Sequence, residues 1–392
     1  MLPDELELDA PLSTLQIGMT AAASHMSGTD RYFLALMRRL PARGVTVQGI
    51  LLGDPAEVDE PVAGIEGFAR TDASRLRRWL GIRRSVGRLV ASSDLVVSHG
   101  VPHLFPAIDL VQSRPLVVHF HGDWAGEARI SGQHPATVHI RHLQQRTVFA
   151  HADRFIVLSR AFASALAADF GVSTEMIDVI PGGVDLNHFD AEESQHEARA
   201  ACGLPDRPIV LCVSRLVPAK GLSALIHAMT IVRRQHPQAF LAIVGSGPLA
   251  AELQDQIDRS GLHDSVHIVG HVGAGLPLFY RAANVTIVPS DLVEGFGLVV
   301  VESLAMGTPV LVTPVGGLPE VISDLDRQLI LDGPAVRDLA AGLCRALSNP
   351  SDLPRRDTCR RYAMRFEWSN ITRRVAAAYR EVRSTYVTRR GR

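Results

Sequence analysis

The chain has 392 residues, too many for one ordinary core, so two domains of roughly 180 residues each are expected. Forty Lys and Arg stand against 41 Asp and Glu, a balance that excludes a globally basic nucleic-acid binder. The four cysteines (Cys202, Cys212, Cys344, Cys359) show no CxxC spacing, which argues against a disulfide framework and suits free, structural thiols in a reducing compartment.

The stretch from Met1 to Glu7 is acidic where a secretory signal is basic, and no apolar run approaches the roughly 18 residues of a spanning helix. A cytoplasmic protein is expected, with attachment to a membrane surface left open. Short apolar runs at Leu15–Met19, Val45–Leu52, Asp94–Ser98, Leu116–Phe120, Arg154–Leu158 and Ile177–Ile180 read as strands separated by helical stretches. That alternation predicts a parallel, doubly wound sheet. Its first loop, Ala21 to Arg31, is small and polar ahead of a helix at Tyr32–Leu40. Small residues let backbone approach a phosphate or sugar; a plain flexible βα loop needs them equally.

From Arg70 to Arg88 there are seven arginines, at 70, 75, 77, 78, 83, 84 and 88, with Leu76, Trp79, Leu80, Ile82, Val86 and Leu89 between them. Such a helix either docks on anionic lipid or lays an apolar inner face on the core beneath a cationic outer one. Further on, His119-Phe120-His121-Gly122-Asp123-Trp124 closes the fourth or fifth strand. Strand alternation puts His119 and His121 on one face, with His121 nearer the end. A His-x-His pair is half a metal site, but no third ligand stands at a supportive spacing, so no metal is expected. His121 reads better as a sugar-contacting or proton-handling residue.

The pattern restarts after polar residues 190–199 and the Pro-rich Leu204-Pro205-Asp206-Arg207-Pro208, with strands at Ile209–Val213, Phe240–Val244, Val266–Val269, Val285–Val288 and Val310–Val312. In open α/β sheets ligands bind beyond the carboxyl ends of strands, so the residues after each run are the place to look for chemistry. Arg215 and Lys220 follow one strand across a proline-containing turn and suit a diphosphate, or an ordinary solvated loop. Gly245-Ser246-Gly247 makes a tight turn into the next helix. Glu294-Gly295-Phe296-Gly297-Leu298 leads from a strand through a glycine turn into a helix that carries Glu302, eight residues on. A helix start offers free amides and a positive dipole end to an anion.

Taken in this order, the segments resemble the retaining GT-B nucleotide-sugar glycosyltransferases of glycosyltransferase family 4, with the glycosyl transferases group 1 domain, over nearly the whole chain. Glu294-Gly295-Phe296-Gly297 through Glu302, Ala305-Met306-Gly307-Thr308-Pro309-Val310 and Gly316-Gly317-Leu318-Pro319-Glu320 carry the likeness most specifically. The resemblance implies an α/β GT-B fold: two Rossmann-like doubly wound domains facing a central cleft, with a C-terminal helix crossing back to the first. Residues 1–190 would bind the acceptor, 191–368 the nucleotide sugar, and 369–392 would form the returning helix. Pro181-Gly182-Gly183-Val184-Asp185 through Phe189 looks like that family's hinge entry.

It further implies Arg215 and Lys220 on the donor diphosphate, Glu294 on donor sugar hydroxyls and Glu302 on the ribose. Phe296, Gly297 and Leu298 would lie beside sugar or phosphate, with Gly245 and Gly247 in the donor site and His121 as the active-site histidine. Ser27-Gly28 stands where the family shows a Gly-Gly pair, and Ser27 is expected to offer its amide instead. Asp30, Asp123 and Glu127 place acids on the acceptor side, suited to a cationic aminosugar or aminocyclitol or to neutral hydroxyls. The expected activity is transfer of a sugar from a UDP- or GDP-sugar to a hydroxyl, in polysaccharide, glycolipid or aminoglycoside-type synthesis. Retention of the anomeric configuration is expected, with no metal or other cofactor. The rivals are a hydrolase using Glu294 and Glu302 as its carboxylate couple, a sugar-nucleotide epimerase or phosphorylase on the same fold, and a non-catalytic membrane-docked protein.

Overall fold

A computed structural model of the chain describes residues 11–390 except 22–26, 58–61, 191 and 293. The acidic residues 1–7, most of the first loop and Val293 therefore lie outside the described residues. The chain divides into two compact units, Met1–Pro181 with Trp368–Arg392, and Gly182–Glu367.

The first unit is built on seven parallel strands: β1 (Leu12–Ala21), β2 (Val45–Gly53), β3 (Ile65–Ala69), β4 (Leu95–Ser98), β5 (Leu116–Phe120), β6 (Arg154–Val157) and β7 (Ile177–Val179). Their order across the sheet is β3-β2-β1-β4-β5-β6-β7, so the winding reverses between β1 and β4. Every residue of β4 and β5 is buried, as expected of strands covered on both faces. Neighbouring residues split between the two covers. Val96 and Val118 pack with Ile82, Val86, Phe149 and Phe162 on one side. Val97 and Val117 pack on the other side with Tyr32 and Leu36 of helix Gly28–Arg39.

That second cover is completed by helix Trp368–Arg390. Trp368, Ile371, Val375, Tyr379 and Val382 repeat at intervals of three and four, the stripe that keeps one face of a helix on a core. Its rim is tied down by Arg380 to the Arg43 carbonyl (2.6 Å), Arg374 to the Val179 carbonyl (2.7 Å) and Glu381 to Arg154 (2.7 Å).

The second unit repeats the scheme with five parallel strands: β8 (Ile209–Val213), β9 (Phe240–Val244), β10 (Val266–Gly270), β11 (Val285–Val288) and β12 (Val310–Val312), in the order β10-β9-β8-β11-β12. Here the reversal falls between β8 and β11. Both units are thus Rossmann-like. Strand β3 escaped the reading of the sequence. Ile-Glu-Gly-Phe-Ala carries a charge and a glycine and sits at the sheet edge, where only one neighbour must be matched. All four cysteines are free, and burial pushes the Cys212 thiol in β8 up to about 12. Among the described residues no helix is long and apolar enough to cross a membrane.

Ile371 is 1% exposed in the core of the first unit. Replacing it with alanine should lower the stability of that unit by about 2–5 kcal/mol, read as an earlier urea midpoint. An unmoved midpoint would mean that the helix adds nothing to the core.

Candidate functional site

In the second unit the loops after β8, β11 and β12 converge at the winding reversal. Lys220 follows β8 and Glu294 follows β11. They meet as an ion pair, with side chains 19% and 18% exposed. Ser290 donates to the same carboxylate oxygen at 3.4 Å, which leaves Oε1 of Glu294 without a partner among the described residues. Two backbone approaches hold this geometry. Gly221 has φ +65°, and a Cβ there would lie 2.0 Å from the Pro289 carbonyl oxygen. Gly316, at φ +56°, would place a Cβ 2.1 Å from the Glu294 carbonyl oxygen, and the Gly317 amide donates to that oxygen at 2.8 Å. Only glycine fits such approaches, so the Lys220 turn and the Gly316-Gly317 loop clamp the acidic turn from either side.

Arg215 is exposed, and its guanidinium has no partner among the described residues. Its loop is seated on the Gly245–Gly247 turn: the Leu216 amide donates to the Ser246 carbonyl at 2.9 Å and the Leu249 amide to the Leu216 carbonyl at 3.1 Å. Gly297, with φ +80°, caps helix Leu298–Ala305, whose first amides have no acceptor within the helix. Phe296 is buried beneath the turn. Glu302 lies inside that helix, 5% exposed, and accepts a 2.8 Å hydrogen bond from the Tyr280 hydroxyl. One cation site, one carboxylate and a helix start therefore share one strand mouth, a set of groups suited to a phosphorylated polyol.

In the first unit Ser27 and Asp30 form a capping box on helix Gly28–Arg39. Ser27 does not offer its amide to a ligand as expected. It donates that amide to Asp30 at 2.8 Å, because the serine three residues ahead of an acid closes the helix end. Asp30 is buried and also accepts from the Thr20 amide at 3.1 Å, so its carboxylate joins the end of β1 to the helix instead of facing an acceptor. Gly28 occupies the first helical position. Asp123 likewise caps a helix, Trp124–Ile130, by accepting from the Ala125 amide at 3.0 Å. Glu127 remains exposed on that helix and lines a pocket with His121, Trp124 and Thr29.

His121 follows β5, and His119 lies on the same face. The third histidine that no spacing suggested is His99, just after β4. Ser98 pairs with Val118, which brings His99 abreast of His119. Ligand atoms of the three lie within 4.8 Å of one another. Their ring planes are within 22° of parallel, and His99 and His119 stack at 4.3 Å between centroids. Both nitrogens of His119 meet tyrosine hydroxyls, Tyr379 at 2.8 Å and Tyr32 at 3.3 Å. Ligation by His119 would require breaking one of these bonds, and the group as it stands is a hydrogen-bonded one. Burial lowers the pKa of all three histidines: that of His121 falls to about 4, while that of His99 is lowered further by the charges of His119 and His121, and that of His119 by the charge of His121. Gln145, also unforeseen, is fully buried at the same pocket. Its Oε1 accepts from the Ala125 amide at 2.8 Å and its Nε2 has no partner among the described residues.

Residues 26–188 match the family described as Glycosyltransferase Family 4, and residues 194–366 match Glycosyl transferases group 1. A D-inositol 3-phosphate glycosyltransferase of Acidothermus cellulolyticus is 30% identical over 94% of this chain and 85% of its own length. A GDP-mannose-dependent alpha-(1-6)-phosphatidylinositol monomannoside mannosyltransferase of Mycolicibacterium smegmatis is 34% identical over 52% of this chain. That match spans 56% of the relative's own length. Among solved structures, sucrose-phosphate synthase of Thermosynechococcus elongatus superposes with a TM-score of 0.79 at 25% identity, covering 95% of this chain and all of that one. Anabaena HepE in complex with UDP and glucose gives 0.78 at 22%, covering 94% and 99%, a likeness of fold.

The histidine stack predicts a pH effect on stability. The pKa of His121 in the folded chain is about 4 against an ordinary 6.5, so the unfolded chain binds more protons between those values. The stability this ring contributes is complete above pH 6.5 and is lost as pH falls toward 4. His121→Gln should flatten that fall in urea titrations between these two pH values; an unaltered slope would show that His121 titrates normally.

Proposed function

The chain belongs to glycosyltransferase family 4, and from that premise we propose that it moves a sugar from a UDP- or GDP-sugar to a hydroxyl acceptor with retention of anomeric configuration. The observation that carries the reading is the Lys220–Glu294 ion pair beside a glycine-capped helix start at the β8/β11 reversal, with Arg215 exposed on the same loop as Lys220. Arg215 and Lys220 hold the diphosphate, Glu294 receives donor sugar hydroxyls through its unengaged oxygen, and the amides of Gly297 and Leu298 face phosphate or sugar. Gly245 and Gly247 shape the floor under the Arg215 loop, and Glu302 receives the ribose. In the transfer, the bond from the anomeric carbon to phosphate breaks and the bond to the acceptor oxygen forms on the same face. The acceptor proton passes to the released diphosphate. On this reading Lys220 and Arg215 supply the charge stabilisation, with no metal required.

The hydrolase alternative uses the same carboxylates poorly, since Glu294 is neutralised by Lys220 and Glu302 is buried against Tyr280. For the acceptor, the names of the relatives above point to inositol derivatives, and the polar groups of His121, Glu127 and Gln145 at one pocket suit the hydroxyls of a cyclitol.

A membrane contact also has a specific observation in its favour. On helix Arg75–Leu89 the inner face is Ile82, Ser85 and Val86, while Leu76, Trp79 and Leu80 are 66%, 44% and 53% exposed. Four of the seven arginines between 70 and 88 are engaged: Arg70 with Asp72, Arg78 with backbone carbonyls, Arg83 with Asp109 and Arg88 with Glu66. Arg75, Arg77 and Arg84 have no partner among the described residues, and with the exposed apolar side chains they suit an anionic lipid surface. The protein should sediment with phosphatidylglycerol-containing vesicles and not with neutral ones, and Trp79→Glu with Leu80→Glu should abolish this. Equal recovery with neutral vesicles would count against it.

The transfer itself is tested with a thermal-shift panel of UDP, GDP, ADP and their sugars, because a ligand selective for the folded chain raises its melting temperature. One nucleotide family should shift the wild type. Lys220→Ala should weaken the shift and slow turnover by about a hundredfold, the effect of losing one preorganised contact of roughly 3 kcal/mol. Turnover should survive chelation by EDTA. An inverted product anomer by NMR would refute retention, and no shift with any nucleotide would refute the donor site.

A further inference from the structure

Strand β1 carries a buried polar pair, Thr14 and Gln16, in an otherwise apolar run. The Thr14 hydroxyl donates to the Thr46 carbonyl at 3.3 Å, so its oxygen can accept from the Gln16 amide nitrogen, 3.2 Å away. This orients the Gln16 amide, and its Oε1 then faces His99 Nε2 at 3.0 Å as an acceptor. His99 Nε2 must carry the hydrogen. A buried, neutral His99 has only one, so its Nδ1 is a bare lone pair. That lone pair faces His121 Nε2 at 3.5 Å, the outer reach of a hydrogen bond, and therefore calls for hydrogen on His121 Nε2.

We propose that Gln16 and His99 are positioning residues that hold His121 as the neutral Nε2–H tautomer, with its Nδ1 lone pair left free to accept a hydrogen bond from a substrate hydroxyl in the pocket. No partner of that nitrogen lies among the described residues, and His121 keeps partial exposure at the pocket lined by Thr29, Trp124 and Glu127. The parallel branch is locked as well. His119 meets a tyrosine hydroxyl at each ring nitrogen, Tyr379 at Nε2 and Tyr32 at Nδ1, so neither nitrogen is open to a ligand. His119 is therefore committed to the fold, while His121, two residues on, is committed by its neighbours to a single acceptor. The substrate contact rests on the reading of this site as a glycosyltransferase; the tautomer does not. It follows from the orientation of the Gln16 amide and the neutrality of a buried His99.

The test is a long-range proton–nitrogen NMR correlation on the full chain labelled with nitrogen-15 histidine, in the absence of any ligand, with His121→Asn identifying the His121 signals. The expected result is a protonated, pyrrole-type Nε2 and an unprotonated, pyridine-type Nδ1 on His121 at neutral pH. In Gln16→Met, which keeps the length and burial of the side chain but removes the acceptor for His99, both His121 nitrogens should move toward a tautomeric average. An Nδ1–H or doubly protonated His121 in the wild type would overturn the proposal, even if Gln16→Met fails to fold. So would an unaltered His121 pattern in a folded Gln16→Met, or one equivalent of bound metal by mass spectrometry. A chain with the expected tautomer and no response to any nucleotide sugar would instead defeat the transferase reading alone.

Discussion

An ammonium and a carboxylate, each largely withdrawn from water, are pressed together where the second sheet reverses its winding, and the site around them depends on that contact. Charges in such a place persist only when paired or hydrogen-bonded, because desolvation penalises each one alone. Lys220 and Glu294 come from different strands, so their pairing requires the turns after β8 and β11 to close on each other. Glycines at 221 and 316 let the backbone do so. Pairing also keeps both groups in place before any ligand arrives. Under the proposed function the donor then replaces one partner for each of them, phosphate for the ammonium and hydroxyl for the carboxylate, with no charge left exposed or bare.

The first unit uses the same frame for different chemistry. Its buried histidines and tyrosines are neutral at physiological pH and joined by hydrogen bonds, with direction in place of charge. Thr14, Gln16, His99 and His121 form one line, and Tyr379, His119 and Tyr32 another, both buried among the aromatic rings of the core. A network of this kind is rigid because reversal of one member sets its donors or acceptors against those of its neighbours. Charge in one unit and hydrogen-bond direction in the other suit a phosphate-bearing ligand and a hydroxylated one respectively.

Much of this was legible in the residues. Parallel strands buried on both faces are continuous β-branched runs, and β5, β8, β9, β11 and β12 were read at their observed limits for that reason. Both Rossmann-like units and the membership of the family followed from that reading and from the Glu294 to Glu302 motif. What escaped it depended on neighbours in space. His99 follows β4 as His121 follows β5, yet only the pairing of Ser98 with Val118 puts the two rings together. Gln145 sits on a helix far from β5 in sequence and gains meaning only as a pocket wall. The capping box at Ser27 and Asp30 was local and readable. Its residues were assigned to ligands because a serine and an acid at a helix start serve either purpose. The arginine-rich helix was ambiguous for a similar reason: its pattern shows which side chains share a face, while the identity of the covered face depends on β3 and on residues 105–110 beneath it.

One feature of connectivity bears on how the chain comes to be folded. The stripe from Trp368 to Val382 that closes the core of the first unit follows the whole of the second unit in sequence. During synthesis, the seven-stranded sheet therefore emerges with Leu12, Val45, Tyr32 and Leu36 uncovered on one side, and it stays so while the next 186 residues, Gly182 to Glu367, are made. The second unit is contiguous and can condense as soon as it leaves the ribosome; the unit that begins first must finish last. That interval leaves an apolar surface open to chaperones or to other nascent chains until the last helix docks on it.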